Sequence, residues 1–501
     1  MTVTDPGWVD TDSFRPNRGQ FPIRVEQHLN RFVSFHLPGV TTVTSATRYY
    51  ALHGLTAYVV AEEALDEPAA VNILRRSEAL LAYVTHVHEQ ELGSEHPWSP
   101  APHGIDKIRT HAVTAEGVDL SKAAEHYAEA KWAFLNPYRG SEMFLDILQR
   151  SGGFKPGERF DPAAARSVLV PLLETARSQD AVSREQAAAL SAACLCTTSN
   201  QMDGAWLAEL LSGDKTASTD PKNVSAGRLL WEFGHLTAVA TQVGDVTDAS
   251  ALSRLIMFDP ELAQHPALLG QVAPERWRGA LFRKESVWAL RLIWHKISNL
   301  VEGASYVADL MAAFADLLPD SDTVGSFRGK LPHHLRKDGG PREAERELED
   351  RTDVERWLGT LMLGAARLPN LSEQELQGFR AAREHEAGQW DELSPGWFQE
   401  LLELNADMSL RDFGVLLARQ MINRSQRVAL GKSRFHAKTQ VFSYPARLHV
   451  RDGVAVRLFG ETAPEPATRI PQYLSIARQA GMFTVNNDGK FAVGKNGERL
   501  A

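Results

Sequence analysis

Between Asp161 and about Asn405 the chain is rich in Ala and Leu and almost free of β-branched runs. Amphipathic stretches follow one another there, and their starts are legible. Ser183-Arg184-Glu185-Gln186 ahead of "AAALSAACL" and Ser372-Glu373-Gln374-Glu375 ahead of "LQGFRAAREHE" both have the spacing of a capping box. A stretch of this composition restricts the body of the chain to helix packed on helix. Trp231, Phe233, Trp277, Trp288 and Trp294 then read as helix–helix core. One interruption, Pro319 to Asp353, is polar and contains "KLPHHLRKDGGPREAERELEDRTD". It reads as a mobile loop or an exposed helix.

The first third also reads as helical. Residues 1–22 form an extended arm carrying Arg15, Pro16, Arg18, Gly19 and Pro22. A helix from Ile23 to about Phe35 places Val25, Leu29, Phe32 and Val33 on one side and stops at Leu37-Pro38-Gly39. A very apolar second helix passes through Tyr50, Leu52, Leu55 and Tyr58, with His53 as a core histidine making one hydrogen bond. A third runs from about Pro68 to Glu91. Ser94 to Gly104, "SEHPWSPAPHG", is a Pro-rich loop whose His and Trp residues decorate the surface, and helix returns over Ala123–Leu135.

With 501 residues, 43% of them hydrophobic, the chain has room for two to four domains. No apolar run reaches 18 residues and the N-terminus is polar and acidic, so neither a membrane span nor a secretory signal is expected and the cytoplasm is the expected location. Cys194 and Cys196, in "AACLCTTSN", are the only cysteines. Alone they lack the four ligands of a structural zinc site, and two buried thiols in a helix are expected. His86 and His88 are two apart on the third helix and face different sides, so they do not share a metal. No dinucleotide fingerprint, serine elbow or H-E-x-x-H is present. The expectation is no catalytic residue, no metal and no cofactor, ATP included.

The charge is unevenly placed. Phe413–Ala501 carries 14 Lys/Arg against five acids, a local +9, while residues 1–412 carry −18. Such asymmetry points to an acidic partner for the basic end. Ser409-Leu410-Arg411-Asp412 caps a helix reaching about Leu430, with Leu410, Phe413, Leu417 and Met421 inward. Gly431-Lys432-Ser433 resembles the tail of a phosphate-binding loop, but the first required glycine falls on Gln426, which rejects that motif. Phe435 to Phe442 contains His436 and Lys438 in the spacing of an H-x-K-x-x-x-x-D phosphodiesterase motif, with Ser443 at the aspartate position and no second copy. A hairpin follows over Arg447–Leu458. A three-residue Arg451-Asp452-Gly453 loop sets Leu448, Val450, Val454, Val456 and Leu458 on one face and Arg447, His449, Ala455 and Arg457 on the other. After Pro464 and Pro466, a helix from about Thr468 to Ala480 turns Ile470, Tyr473, Leu474 and Ala477 inward and Thr468, Gln472, Ser475 and Gln479 outward, flanked by Arg469 and Arg478. Neutral hydrogen-bonding groups between two cations suit a helix that meets a nucleic-acid groove. Strands around Phe483–Val485 and Phe491–Val493 flank Asn486-Asn487-Asp488-Gly489.

Helix, "AGMF", strand, "NNDG", strand and "GKNGERLA" is similar to the end of many bacterial winged-helix domains, though a hairpin and a Pro-rich linker stand where two further helices belong. An echo of the same helix, "FLDILQRSGGF" at Phe144–Phe154, is too short to prove a repeat, since any two amphipathic helices ending in Gly share much of it; a second such element near 140–175 is the alternative reading. The opening "HLPGVTTVTSATRYYALHGL", the "NPYRGSEMFLDILQRSGGF" segment and the basic end together resemble uncharacterised bacterial proteins of phage-defence and restriction gene clusters. That resemblance implies a non-enzymatic subunit acting on invading DNA beside other subunits of a defence complex.

The expected fold is therefore mainly α. An arm (1–22), an N-terminal helical domain (23–160) and a central all-helical domain (161–408, with the loop 319–353) precede a small, basic, winged-helix-like α+β domain (409–501). The expected partner is DNA, duplex rather than single-stranded. Its candidate contacts are Arg419, Arg424, Arg427, Lys432, Arg434, Lys438, Arg447, Arg457, Arg469, Gln472, Ser475, Arg478, Gln479 and Lys490. A transcriptional regulator, a phosphodiesterase using His436 and Lys438, and a protein scaffold are the alternative readings.

Overall fold

The computed structural model describes residues 21–151, 153–217, 225–379, 392–437 and 441–501, which are mainly helical with short strands clustered toward the C-terminal end. No helix among them is long and apolar enough to cross a membrane. Contacts divide the chain into two units: residues up to Phe32 with Ile256–Ala263 and Val272–Thr468, and Val33–Leu255 with Gln264–Gln271 and Arg469–Ala501. The division differs from the expected boundaries: no break falls at 160/161, and the expected 409–501 domain is split after Thr468. Residues 1–20 of the expected arm lie outside the described residues.

The first unit is built around Ala273–Asn299, a 27-residue helix packed against the helices Asp353–Arg367 and Glu373–Phe379. Backbones cross closely here. A Cβ on Gly279 would lie 1.9 Å from the Glu375 carbonyl oxygen, and one on Gly378 would lie 2.1 Å from that of Arg276. Only glycine permits that approach. Ser372 and Glu375 form the expected reciprocal cap, with the Ser372 N–H reaching Glu375 Oε2 at 2.7 Å. Trp277 and Trp294 are core, as expected. The polar stretch 319–353 is ordered into a capped helix, Val324–Gly329, and a 3-10 turn, Ala344–Leu348. Val324, Phe327, Ala344 and Leu348 within it are fully buried, which corrects the loop reading. Four isolated apolar residues were enough to anchor it without a periodic stripe.

Ser409 caps the Leu410–Gly431 helix, accepting from the Asp412 N–H, and Leu410, Phe413, Leu417 and Met421 are buried as expected. Gln426, at the position where a phosphate loop needs glycine, ties this helix to the hairpin. Its Nε2 donates to the Leu448 carbonyl at 2.7 Å, and its Oε1 accepts from Tyr444 Oη at 3.1 Å and the Val450 N–H at 3.3 Å. The hairpin itself has the shorter loop. Leu448 pairs with Arg457, Val450 with Ala455 and Arg451 with Val454, leaving Asp452-Gly453 as a two-residue turn with φ of 49° and 78°. Positive φ at both central residues is the type I′ geometry that matches strand twist. The face argument failed because Val454–Arg457 is a central strand, paired on its other edge with Ala304–Tyr306. No bare basic ribbon exists there, and Ala455 is fully buried. The Pro-rich linker then straps along the central helix: Trp288 Nε1 donates to the Ala463 carbonyl at 3.2 Å and His295 Nδ1 to that of Glu461 at 2.8 Å.

The second unit packs the helices Arg48–Glu62, Glu67–Leu92, Pro162–Ser178, Met202–Ser212 and Ala226–Val243. Asp66 caps the second of these, accepting from the Ala69 N–H. Strand Gly117–Asp119 pairs antiparallel with Ala181–Ser183, and each strand runs directly into a helix. The echo at Phe144–Phe154 is not a second copy: helix Leu135–Phe144 ends where it begins, and Leu148 bridges to Pro156. At the end of the chain the helix Ile470–Gln479 buries Ile470, Tyr473, Leu474 and Ala477, and Phe483–Val485 pairs with Phe491–Val493 as expected.

His53 makes two bonds, where one was expected, and both go to carboxylates. Nδ1 lies 2.5 Å from Glu142 and Nε2 2.9 Å from Glu78, with no exposed surface on any of the three side chains. Burial alone would depress the imidazole, but the two carboxylates outweigh it and raise His53 to about 10. Burial raises Glu142 as well. Folding thus takes up a proton at His53 between its unfolded value of about 6.5 and about 10. The stabilisation is complete below that window and is lost as pH rises through it; the raised Glu142 acts in the same direction. Calorimetry should show the melting temperature falling as pH is raised from 7 to 10. His53→Ala should cost about 3–5 kcal/mol, because the glutamates lose their shared partner, and should flatten that pH dependence.

Candidate nucleic-acid interface and a histidine–cysteine cluster

Most of the expected nucleic-acid contacts are committed within their own unit. Arg424 is buried, its Nε donating to the Ile23 carbonyl at 2.5 Å and its Nη1 to the Glu392 carbonyl. Lys432 reaches the Phe21 carbonyl at 3.2 Å, and burial lowers its pKa. Arg447 stacks over Phe459 and donates to the Gly460 carbonyl at 3.3 Å, while Arg457 donates to Asn299 Oδ1 at 3.1 Å. Arg427 pairs with Glu392 at 2.5 Å with its side chain 38% exposed. Lys438 lies outside the described residues, and the backbone of His436 belongs to strand Arg434–His436.

The helix Ile470–Gln479 does not offer the face expected of a groove-reading helix. Gln479 is buried; its Oε1 accepts from the Thr47 N–H at 3.0 Å and its Nε2 donates to the Ser45 carbonyl at 2.7 Å. Ser475 Oγ donates to the same carbonyl at 3.1 Å, and Gln472 is half-buried. Arg469 donates to the Val40 carbonyl and to Ser34 Oγ, both at 2.8 Å. Arg478 lies 4.1 Å over the Trp98 ring, and burial lowers the pKa of both arginines. Lys490 is paired with Asp245 at 2.7 Å. The polar stripe is a docking face for the 44–48 segment of the same unit. Neutral polar residues suit a buried seam as well as a groove, and residue types alone do not separate the two.

Exposed cations remain on one line in the first unit. Arg419, Asn423 and Arg427 stand at i, i+4 and i+8 on the Leu410–Gly431 helix; the first two are exposed and Arg427 is half-buried. The hairpin of Arg434–His436 and Val441–Ser443 follows this helix in the chain, and there Arg434 is exposed and Phe435 is 57% exposed. Arg419 and Arg434 have no partner among the described residues.

A second constellation lies in the other unit, built from residues not expected to meet. His88 is near the end of helix Glu67–Leu92, and His96 follows the 3-10 turn Gly93–Glu95. Cys194 precedes the 3-10 helix Leu195–Asn200, and Cys196 is within it. His96 Nε2 is 3.4 Å from Cys194 Sγ, His88 Nδ1 is 3.5 Å from Cys196 Sγ, and the imidazole centroids are 5.3 Å apart. A hydrogen bond from Cys196 lowers Cys194 to about 4 against its burial, helped by His88 and His96. This corrects the expectation that no four-ligand Cys/His set exists and that His96, in the 94–104 loop, is surface decoration. Both thiols are buried, as expected, but in a 3-10 segment. The available signal was a Cys-x-Cys beside two histidines eight positions apart; the hundred residues between the pairs hid their proximity.

No family model, curated protein or solved structure matches this chain.

The packed role of the C-terminal helix has a measurable consequence. Gln479→Leu leaves the buried Thr47 N–H without its side-chain acceptor and the Ser45 carbonyl with Ser475 Oγ alone, and should cost about 1–3 kcal/mol in urea unfolding. The same substitution should leave any nucleic-acid sequence preference unchanged.

Proposed function

We propose that this protein binds nucleic acid, duplex DNA first, through the C-terminal half of the Leu410–Gly431 helix and the hairpin after it. The observation that carries the reading is the line Arg419–Asn423–Arg427, followed in the chain by exposed Arg434 and Phe435. Cations at that spacing track a phosphate backbone, and an exposed aromatic among them adds a surface on which an unpaired base stacks. Arg427 contributes less than a free cation because Glu392 competes for it. The committed residues of the Ile470–Gln479 helix take no part, so binding rests on backbone charge and carries little sequence information. With the resemblance to defence-cluster proteins, this fits a subunit that holds invading DNA for its partners.

Three phosphate contacts, from Arg419, Arg427 and Arg434, give log K a slope against log salt of about −2.7, a loss of about fortyfold between 50 and 200 mM. Fluorescence anisotropy on the full chain should show this slope. Arg419→Glu with Arg434→Glu should weaken duplex binding at least about tenfold and flatten the slope by about 2. Phe435→Ala should weaken single-strand binding by about 1–3 kcal/mol and duplex binding much less. If the chain shows no salt-dependent binding to either form, the exposed line faces a protein and the scaffold reading replaces this one.

A further inference from the structure

We propose that His88, His96, Cys194 and Cys196 form a structural zinc site, a closed Cys2His2 centre joining the end of the Glu67–Leu92 helix to the Cys194–Asn200 segment. The inference is independent of nucleic-acid binding and concerns the other unit.

Geometry carries it. The four donor atoms all lie within 4.8 Å of one another, and among the described residues this is the one such group of His, Cys, Asp or Glu. Zinc binds sulfur at about 2.3 Å and imidazole nitrogen at about 2.0–2.1 Å, so a tetrahedral site places adjacent N and S donors about 3.5 Å apart. The two N–S separations of 3.4 Å and 3.5 Å involve different residues and correspond to opposite edges of one tetrahedron. An N–H···S hydrogen bond explains either contact alone. It does not explain why two thiols and two imidazoles from segments a hundred residues apart converge on one point.

The donor chemistry selects the ion. Two sulfurs and two imidazoles are a poor set for Mg2+ or Ca2+, which take oxygen, and a tetrahedral S2N2 set is characteristic of zinc. Two thiolates neutralise a dication, which suits a place where Cys194 has no exposed surface and Cys196 only 8%. Both sulfurs bind as thiolates, any thiol proton still held goes to solvent, and the imidazoles bind neutral. Four protein ligands leave no open position for water or substrate, so the site is structural and not catalytic.

The cysteine segment is held from behind. Arg48 Nη1 donates to the Cys194 carbonyl and, at 2.8 Å, to Thr197 Oγ1, which itself donates to the Cys194 carbonyl at 2.9 Å. Outer contacts of this kind orient ligands in metal centres.

The test uses the untagged full-length chain, expressed with zinc in the medium and purified under reductant. Elemental analysis should find one zinc per chain. Cobalt exchanged into the chelated protein should show the visible absorption of tetrahedral, thiolate-ligated Co2+. Removing zinc should lower the melting temperature by about 5 °C or more, reversibly. Cys196→Ser and His96→Ala should each reduce bound zinc at least about tenfold, whereas His86→Ala, two residues from His88, should keep it. Wild-type protein with well under one zinc and no cobalt spectrum overturns the proposal, as does copper or iron in its place. So does full zinc retention by the Cys196 and His96 variants. Should those variants not fold, wild-type zinc content and the cobalt spectrum still decide.

Discussion

Arg48 has no exposed side-chain surface and meets Asp203, equally buried, through two bonds of 2.7 Å and 3.1 Å. Its third nitrogen serves the carbonyls of Ala192 and Cys194 and the hydroxyl of Thr197. Withdrawing two charges from water costs several kcal/mol per ion, so such a pair adds little net stability unless every proton finds an acceptor. Here the fork is satisfied on all sides, by Asp203 and by acceptors of the 192–197 segment. The neighbouring backbone is correspondingly tight: a Cβ on Gly204 would lie 1.8 Å from the Thr198 carbonyl oxygen. The guanidinium thus ties the backbone on either side of Cys196 to the Arg48–Glu62 helix, through the Cys194 carbonyl and the Thr197 hydroxyl.

The same helix carries the second ionic centre. His53, five residues on, faces Glu78 and Glu142, and a ring of tyrosines closes around it: Tyr49 Oη accepts from the His103 N–H at 3.1 Å, and Tyr138 Oη donates to the Ala46 carbonyl at 3.0 Å. His103, lowered to about 4 by burial and then by the charge on His53, stays neutral there. A charged histidine beside a neutral one is stable because the carboxylates surround only the first. Segment 48–53 thus combines an apolar helix with two buried charges, and hydrophobicity alone would have described half of it.

Arginine acts elsewhere as a clamp for backbone carbonyls. Arg75 bonds those of Ala124, Glu125, Ala128 and Ala130, and Arg336 bonds that of Phe258. Helix ends and irregular loops leave carbonyls without partners, and a guanidinium satisfies several at once. Much of the positive charge of the C-terminal end is spent in this way, through Arg424, Arg447 and Arg469. A local charge of +9 therefore overstates the outward field of that region. Among the described cations of that end, Arg419 and Arg434 face solvent on one helix and the hairpin beyond it, and Arg451, Lys495 and Arg499 face it elsewhere.

By itself the sequence determined what depends on neighbours in the chain. The Ser409 and Ser372 caps, the inward faces of Leu410–Gly431 and Ile470–Gln479, and the Phe483–Val493 hairpin were readable because periodicity and capping act within a few residues. Tertiary structure decided whatever depends on partners far away in the chain. The Arg451–Val454 register was set by the strand Ala304–Tyr306, some 150 residues earlier, which made a central strand of an apparent edge. Gln479 and Ser475 became seam residues because Ser45 and Thr47 offered them backbone groups, and His88 joined Cys196 because the packing of the unit brought them together. A hydrogen bond or a ligand pair needs only contact, and contact between distant segments is set by how the whole unit packs.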